Sequence, residues 1–302
     1  MSNRNFRETL EAQWARDNFV CVGLDSEFGK IPESARRVDK EGGVSVADTI
    51  VAFNRAIVEA TQDLVCAYKP NAAFYEAYGA EGIDALRRTV SDIHTVAPDV
   101  PVILDAKRAD IGNTNAGYVE AAFDFLGVDA ITVHPYLGAE ALQPFLARAE
   151  KGIIVLCRTS NPGAGEFQDL PIRFTDSEDI YVWRNTGRRM PGKELPLYQY
   201  VAHIVANKWN KNGNCGIVVG ATYPDELREV RGIVGDMPIL IPGIGAQGGD
   251  VEKTVTAGKD SRGQGMIINS ARGIIFASKG ADFREAARGE TVKLRNLINQ
   301  YR

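Results

Sequence analysis

Short continuous apolar runs, each followed by a segment whose apolar residues return at helical spacing, set the rhythm of this 302-residue chain. A strand buried on both faces reads as an unbroken apolar run, whereas a helix packed on one side repeats near every 3.6 residues. The first run, Phe19 to Asp25, ends in an acid and leads into a polar stretch over residues 26 to 45. Helical spacing over Val46 to Asp63 precedes a second strand, Leu64 to Pro70, which closes on Lys69. A helical segment through Ile83, Leu86, Val90 and Ile93 stops before Pro98, and the third strand begins at Pro101. A helix from about Thr114 to Leu126, a strand from Asp129 to His134, a helix from Gly138 to Glu150 and a strand from Gly152 to Cys157 follow. Residues 159 to 195 then break the alternation with Gly, Pro and charge, the signature of a lid or an insertion. The pattern resumes with a helix over Leu197 to Trp209, a strand over Gly216 to Val219, a helix over Pro224 to Val234 and a strand over Pro238 to Ile241. A glycine-rich turn, a strand over Met266 to Ile268, and helices from about Ala271 to Ala277 and from Asp282 onward complete the chain.

Eight apolar strands alternating with helices imply parallel pairing. At this length a closed (β/α)8 TIM barrel competes with an open doubly wound sheet. The barrel is favoured because Asp25, Lys69, Asp105, Lys107 and His134 all fall at C-terminal strand ends, which form one mouth in a barrel. An open sheet would carry a nucleotide fingerprint at its first turn, and Leu24 to Gly29 lacks that glycine spacing. Residues 1–302 are therefore expected to form a single barrel domain with an irregular insertion at about 159–195.

The stretch with the most chemistry is DAKRAD, Asp105 to Asp110, directly after Pro101-Val102-Ile103-Leu104. Strand alternation aims Asp105 and Lys107 the same way, so two opposite charges share one small space. Asp110 follows in a loop, placed to return a second carboxylate to the same lysine. Each charge alone reads as an ion pair or a turn residue. Three alternating charges on so apolar a strand point to a site.

Composition narrows the classes. With 35 basic and 39 acidic residues, net −4, the chain offers no basic field for nucleic acid, which leaves a small molecule as the expected ligand. Cys21, Cys66, Cys157 and Cys215 stand far apart in apolar segments, without the close pairs of a zinc or disulfide framework. The polar N-terminus has no signal-peptide core and no run of about 18 apolar residues occurs, so a soluble cytoplasmic protein with no membrane partner is expected. Pro242 to Gly249 (PGIGAQGG) follows the seventh strand and Asn269 to Gly273 follows the eighth, where barrels commonly bind phosphate on backbone N–H groups, with Arg272 adding charge.

The combination of LDAKRADIGNT (Leu104 to Thr114), AYKPN (Ala67 to Asn71), VGLD (Val22 to Asp25) and PGIGAQGGD (Pro242 to Asp250) resembles the orotidine 5'-phosphate decarboxylases, in their larger branch, over nearly the whole chain. The resemblance implies a cofactor-free and metal-free decarboxylation of orotidine 5'-monophosphate to uridine 5'-monophosphate, the last step of de novo pyrimidine nucleotide synthesis. By that likeness Lys107 stabilises and protonates the carbanionic ring carbon, Asp105 faces the departing carboxylate, and Lys69 and Asp110 hold the charge array. Asp25 and Lys69 are implied to contact the ribose, Ser160 the pyrimidine, and Gln247 and Arg272 the phosphate. Asp110 and Thr114 are implied to serve the neighbouring subunit's site, which makes a homodimer the expected assembly.

Other readings weigh less. A metal-dependent sugar-phosphate decarboxylase or aldolase of the same superfamily would have a glutamate ligand where Lys69 stands, and a cation there repels a metal. A Schiff-base aldolase needs Lys107 deprotonated, against the pull of Asp105. A noncatalytic nucleotide-binding barrel does not need the charge array. His134 reads as a hydrogen-bonded core residue, and Arg184, Arg188, Arg189 and Lys193 as a solvated loop face.

Overall fold

β-Branched and aliphatic residues dominate the apolar runs, and the runs pair as the central parallel sheet of the computed structural model, which describes residues 4–173, 194–244 and 249–302. The strands in chain order are β1 (Val20–Gly23), β2 (Val65–Lys69), β3 (Ile103–Arg108), β4 (Ala130–Val133), β5 (Gly152–Arg158), β6 (Pro171–Arg173), β7 (Glu194–Pro196), β8 (Cys215–Val219), β9 (Ile239–Pro242) and β10 (Met266–Ser270). Eight of them lie side by side in the order β2-β1-β10-β9-β8-β5-β4-β3. The remaining seam, β2 against β3, is closed by the parallel bridges Tyr68 to Val102 and Asn71 to Asp105. Helices lie between the strands, giving the expected (β/α)8 barrel, and β1, β2, β4 and β8 are buried along their whole lengths.

Four features depart from the sequence reading. A helix over Phe6–Trp14, started by the Asn5 side chain accepting from the N–H groups of Arg7 and Glu8, occupies a segment expected only to be polar. It closes the bottom of the barrel, where Trp14 is fully buried and donates from Nε1 to the Met266 carbonyl at 2.9 Å. A second unexpected helix, Val251–Gly258, follows the glycine-rich turn and is capped by Asp250. The helix expected from Thr114 begins at Gly112 and passes into a π-helical turn over Glu120–Phe125. The insertion is only partly irregular: Gly165–Gln168 is helical and β6 pairs antiparallel with β7. Arg184, Arg188, Arg189 and Lys193 lie outside the described residues.

The four cysteines are buried and unpaired by disulfides. Among the described residues no helix is long and apolar enough to cross a membrane.

At the bottom, the buried Asp129 receives Nε and Nη2 of Arg4 at 2.9 and 3.1 Å, Nε2 of His94 at 3.3 Å and the Val102 N–H at 2.9 Å. Burial alone would raise its pKa, but the hydrogen bonds from His94 and Arg4 reverse this and hold it at about 2. A carboxylate depressed in the folded state stabilises above its unfolded pKa and loses that contribution as pH falls through the folded value. We expect the unfolding free energy of the wild type to fall by about 2 kcal/mol more than that of Asp129→Asn between pH 5 and pH 2. Urea denaturation across that range checks this, and parallel pH profiles would contradict it.

Candidate active site

The seam between β2 and β3 concentrates charge where the strands end. Lys69 is the last residue of β2, and its buried Nζ donates to Asp105 Oδ2 at 3.0 Å. Lys107 Nζ reaches the other oxygen, Oδ1, at 2.6 Å. Burial would raise the Asp105 pKa, yet the two lysines outweigh it and hold the carboxyl far below the usual range. Burial likewise disfavours the Lys69 ammonium, and Asp105 and Asp25 reverse that to hold it charged. The pairs are not equivalent: the Lys69 side chain is 4% exposed and the Lys107 side chain 49%. Lys69 is the fixed counter-charge, and Lys107 stands at the open mouth.

Lys107 is also strained. Its φ of 49° places a non-glycine residue in the left-handed region, at a cost of about 1–2 kcal/mol. Simple strand alternation does not describe DAKRAD, because the β3–β4 register shifts between Leu104 and Arg108. Leu104 faces Ile131 and Arg108 faces Val133, so residues 105 to 107 bulge opposite Thr132. The buried Thr132 hydroxyl accepts from the Lys107 N–H at 3.0 Å and donates to Asp105 Oδ1 at 2.9 Å.

A cavity of about 500 Å³ opens over these groups. Asp25, Lys69, Asp105, Lys107, Ser160 and Arg272 all line it, so six of the nine residues singled out in the sequence converge. Burial pushes the Asp25 carboxyl up against the opposing pull of Lys69, and its Oδ1 is buried without a hydrogen-bond partner among the described residues. Ser160 is seated against Gly220, where a Cβ would stand 2.8 Å from its Cβ and 3.0 Å from its N, so the strand ends leave room for no side chain there. Across the mouth, Gly243 takes a φ of 106° and lines the wall beside Arg272. Gln247 lies outside the described residues.

Asp110 and Thr114 do not line this cavity. The Asp110 carboxylate accepts from the Ile111 N–H at 2.7 Å, and the Asp110 N–H donates to Asn115, so within one chain it does not return to Lys107 as its position in DAKRAD suggested. His134 is half-buried beyond β4 rather than in the core, its Nδ1 accepting from the Tyr136 N–H at 3.3 Å. Among the residues that sequence reasoning missed are Thr132, Asn71 and Asn269, which also line the cavity. Thr132 interrupts the apolar run Ala130-Ile131-Thr132-Val133 one residue before the strand end, and that lone hydroxyl was the available signal. A larger cavity of about 820 Å³ at the barrel bottom is lined by Arg4, His94, Arg148 and Glu150, whose polar groups already pair with neighbours. The convergent, partly unsatisfied groups mark the smaller cavity as the candidate site.

Comparison with known proteins bears on the family and the fold. A family model described as orotidine 5'-phosphate decarboxylase / HUMPS family matches residues 19–288. A Ralstonia nicotianae protein named orotidine 5'-phosphate decarboxylase is 47% identical over 298 residues, covering 98% of this chain and 99% of its own. One of the same name from Azoarcus sp. is 46% identical over 299 residues, covering 99% of this chain and 100% of its own. The solved structure of Leishmania donovani OMP decarboxylase matches with a TM-score of 0.76 at 34% identity, covering 98% of this chain and 99% of that one.

Replacing Lys69 by methionine keeps much of the stem but strips a buried carboxylate of its fixed partner. We expect Lys69→Met to lose about 3–5 kcal/mol of unfolding free energy, and addition of Asp105→Asn to recover part of it, because the two groups couple. Urea titrations of the two single variants and the double variant measure the coupling, and strictly additive losses would contradict it.

Proposed function

This chain belongs to the orotidine 5'-phosphate decarboxylase / HUMPS family, and from that premise we propose how its mouth performs the reaction. It is a carboxy-lyase that converts orotidine 5'-monophosphate to uridine 5'-monophosphate and carbon dioxide, the reaction that closes pyrimidine nucleotide synthesis. The observation that carries the residue assignment is the Lys69–Asp105–Lys107 array at the cavity floor.

Breaking the bond between the ring and its carboxylate leaves the electron pair on carbon, where no cofactor sink is invoked. The protein must supply a share of the roughly 8–23 kcal/mol typical of enzymes through placed charge. Lys107 stabilises the growing negative charge and then gives that carbon its proton, and the amine recovers a proton from water. Asp105, held ionised by two lysines, faces the departing carboxylate and favours its loss. Lys69 keeps Asp105 charged and, with Asp25, takes ribose hydroxyls. The Asp25 Oδ1, without a hydrogen-bond partner among the described residues, supports that role. Ser160 reads the pyrimidine, while Gln247 and Arg272 hold the phosphate, whose binding energy is spent at the reacting carbon. A divalent metal would have to displace Lys69 from Asp105, which argues against the metal-dependent reading.

Asp110 and Thr114 are assigned to the partner's site in a homodimer. Two features support this: both stand outside their own cavity, and large apolar side chains are exposed after the neighbouring strands β3 and β4, with Ile111 61% and Tyr136 86% exposed. We also read residues 1–302 as one barrel domain with its insertion at about 159–195, and the protein as cytoplasmic. A continuous buried cluster running from Phe6 to Ile298 supports the first, and four unpaired cysteines the second.

Loss of the orotate chromophore should proceed at full rate in excess chelator, and Lys107→Ala should cut kcat by about 10³-fold or more. Activity abolished by chelator would overturn the metal-free mechanism, and near-normal turnover by Lys107→Ala would overturn its proton-donor role. Mixing inactive Lys107→Ala and Asp110→Ala subunits should rebuild one intact site per hybrid dimer and restore about a quarter of wild-type activity. No recovery despite demonstrated subunit exchange would place Asp110 in its own subunit's chemistry.

A further inference from the structure

We propose that Thr132 is a positioning residue for the decarboxylation: its hydroxyl locks the Lys107 backbone out of the strand ladder and fixes the Asp105 oxygen that Lys107 grips. The inference rests on the reading that Lys107 and Asp105 perform the chemistry.

Strand β3 spends residues 105 to 107 opposite Thr132, because the register resumes only at Arg108 facing Val133. A bulge of this kind takes the middle N–H groups off their ladder acceptors, and a buried N–H needs another partner. Thr132 supplies it, since Oγ1 accepts from the Lys107 N–H at 3.0 Å. The same hydroxyl has one proton, and it goes to Asp105 Oδ1 at 2.9 Å. That oxygen is the one 2.6 Å from Lys107 Nζ. One side chain thus ties the main chain of the proton donor to the carboxylate beneath it and closes a ring Thr132–Asp105–Lys107. The tie matters because Lys107 is held at a φ of 49°, a conformation a lysine leaves unless its surroundings hold it there. Thr132 is 1% exposed, so water does not replace the hydroxyl.

Valine has the shape of threonine without the acceptor or the donor, and serine keeps both. Thr132→Val should lower kcat by about 10- to 100-fold, the scale of an ångström-level misplacement, with KM changed by less than about threefold. Thr132→Ser should keep kcat within about threefold of wild type. A role limited to packing predicts the reverse order, since serine loses the methyl group and valine keeps it. Crystal structures of the two variants give a readout independent of turnover: Lys107 should leave the positive-φ region in Thr132→Val and keep it in Thr132→Ser. If Thr132→Val does not fold, Thr132→Ala takes its place in both measurements. Unchanged kcat in the variant lacking the hydroxyl, or Lys107 still at positive φ and still hydrogen-bonded to Asp105 there, overturns the proposal. Failure of the wild type to consume orotidine 5'-monophosphate would instead overturn the functional reading, and the crystallographic comparison would still decide the role of Thr132.

Discussion

The Asp105 carboxylate sits where the barrel must close, and most of the mouth is arranged around keeping it ionised there. Its own N–H donates to the Pro70 carbonyl at 2.9 Å and its carbonyl accepts from Ala72 at 3.1 Å, so the residue's main chain is part of the β2–β3 seam. Its side chain takes Lys69, Lys107 and Thr132. A buried carboxylate without such partners would protonate or destabilise the fold. Closing the seam at this residue therefore obliges the chain to place Lys69 at the end of β2, and the same lysine sets the charge of the site.

Two cations share that carboxylate from different surroundings. At 4 Å two unit charges interact by about 1 kcal/mol in water and about 4 kcal/mol at an effective dielectric of 20. The Lys69 pair belongs to the second regime and the Lys107 pair, with half its side chain exposed, lies nearer the first. On the proposed role of Lys107, a substrate that covers the mouth moves it toward the stronger regime at the moment when negative charge develops beside it. The unliganded site thus avoids the full cost of burying a second lysine, and the interaction strengthens on binding.

The architecture was legible because period and punctuation carry it: continuous apolar runs specify strands buried on both faces, and the mouth residues follow from strand ends. The helix over Phe6–Trp14 escaped because its core side chains, Phe6, Leu10 and Trp14, are spaced at one per turn among charged residues, and their burial depends on the barrel bottom they plug. Asp105 and Lys107 could be paired from sequence spacing and Lys69 placed at the same mouth, whereas its partnership with Asp105 was what the family resemblance implied. The bulge could not, because a register shift arises between two strands and leaves no mark in either one's apolar pattern. The Asp110 position could not be resolved for a related reason: a loop acid carries no information about which chain its carboxylate will face.

Strand β4 and its leading residue hold the two ends of the barrel apart in kind as well as in space. At the bottom, Asp129 is satisfied within its own chain by Arg4, His94 and the Val102 N–H, an arrangement that stabilises and leaves nothing over. Three residues later at the mouth, Thr132 belongs to a network that includes a strained lysine, and nearby Asp25 keeps an oxygen without a partner among the described residues. A carboxylate whose acceptors are filled by its own fold gains nothing from a ligand. One held buried and incomplete raises the energy of the empty site and returns that energy when a hydroxyl arrives. On the proposed role of Asp25, the difference between a structural and a functional acid in this barrel is therefore visible in what each lacks, and that criterion separates Asp129 from Asp25 where residue type does not.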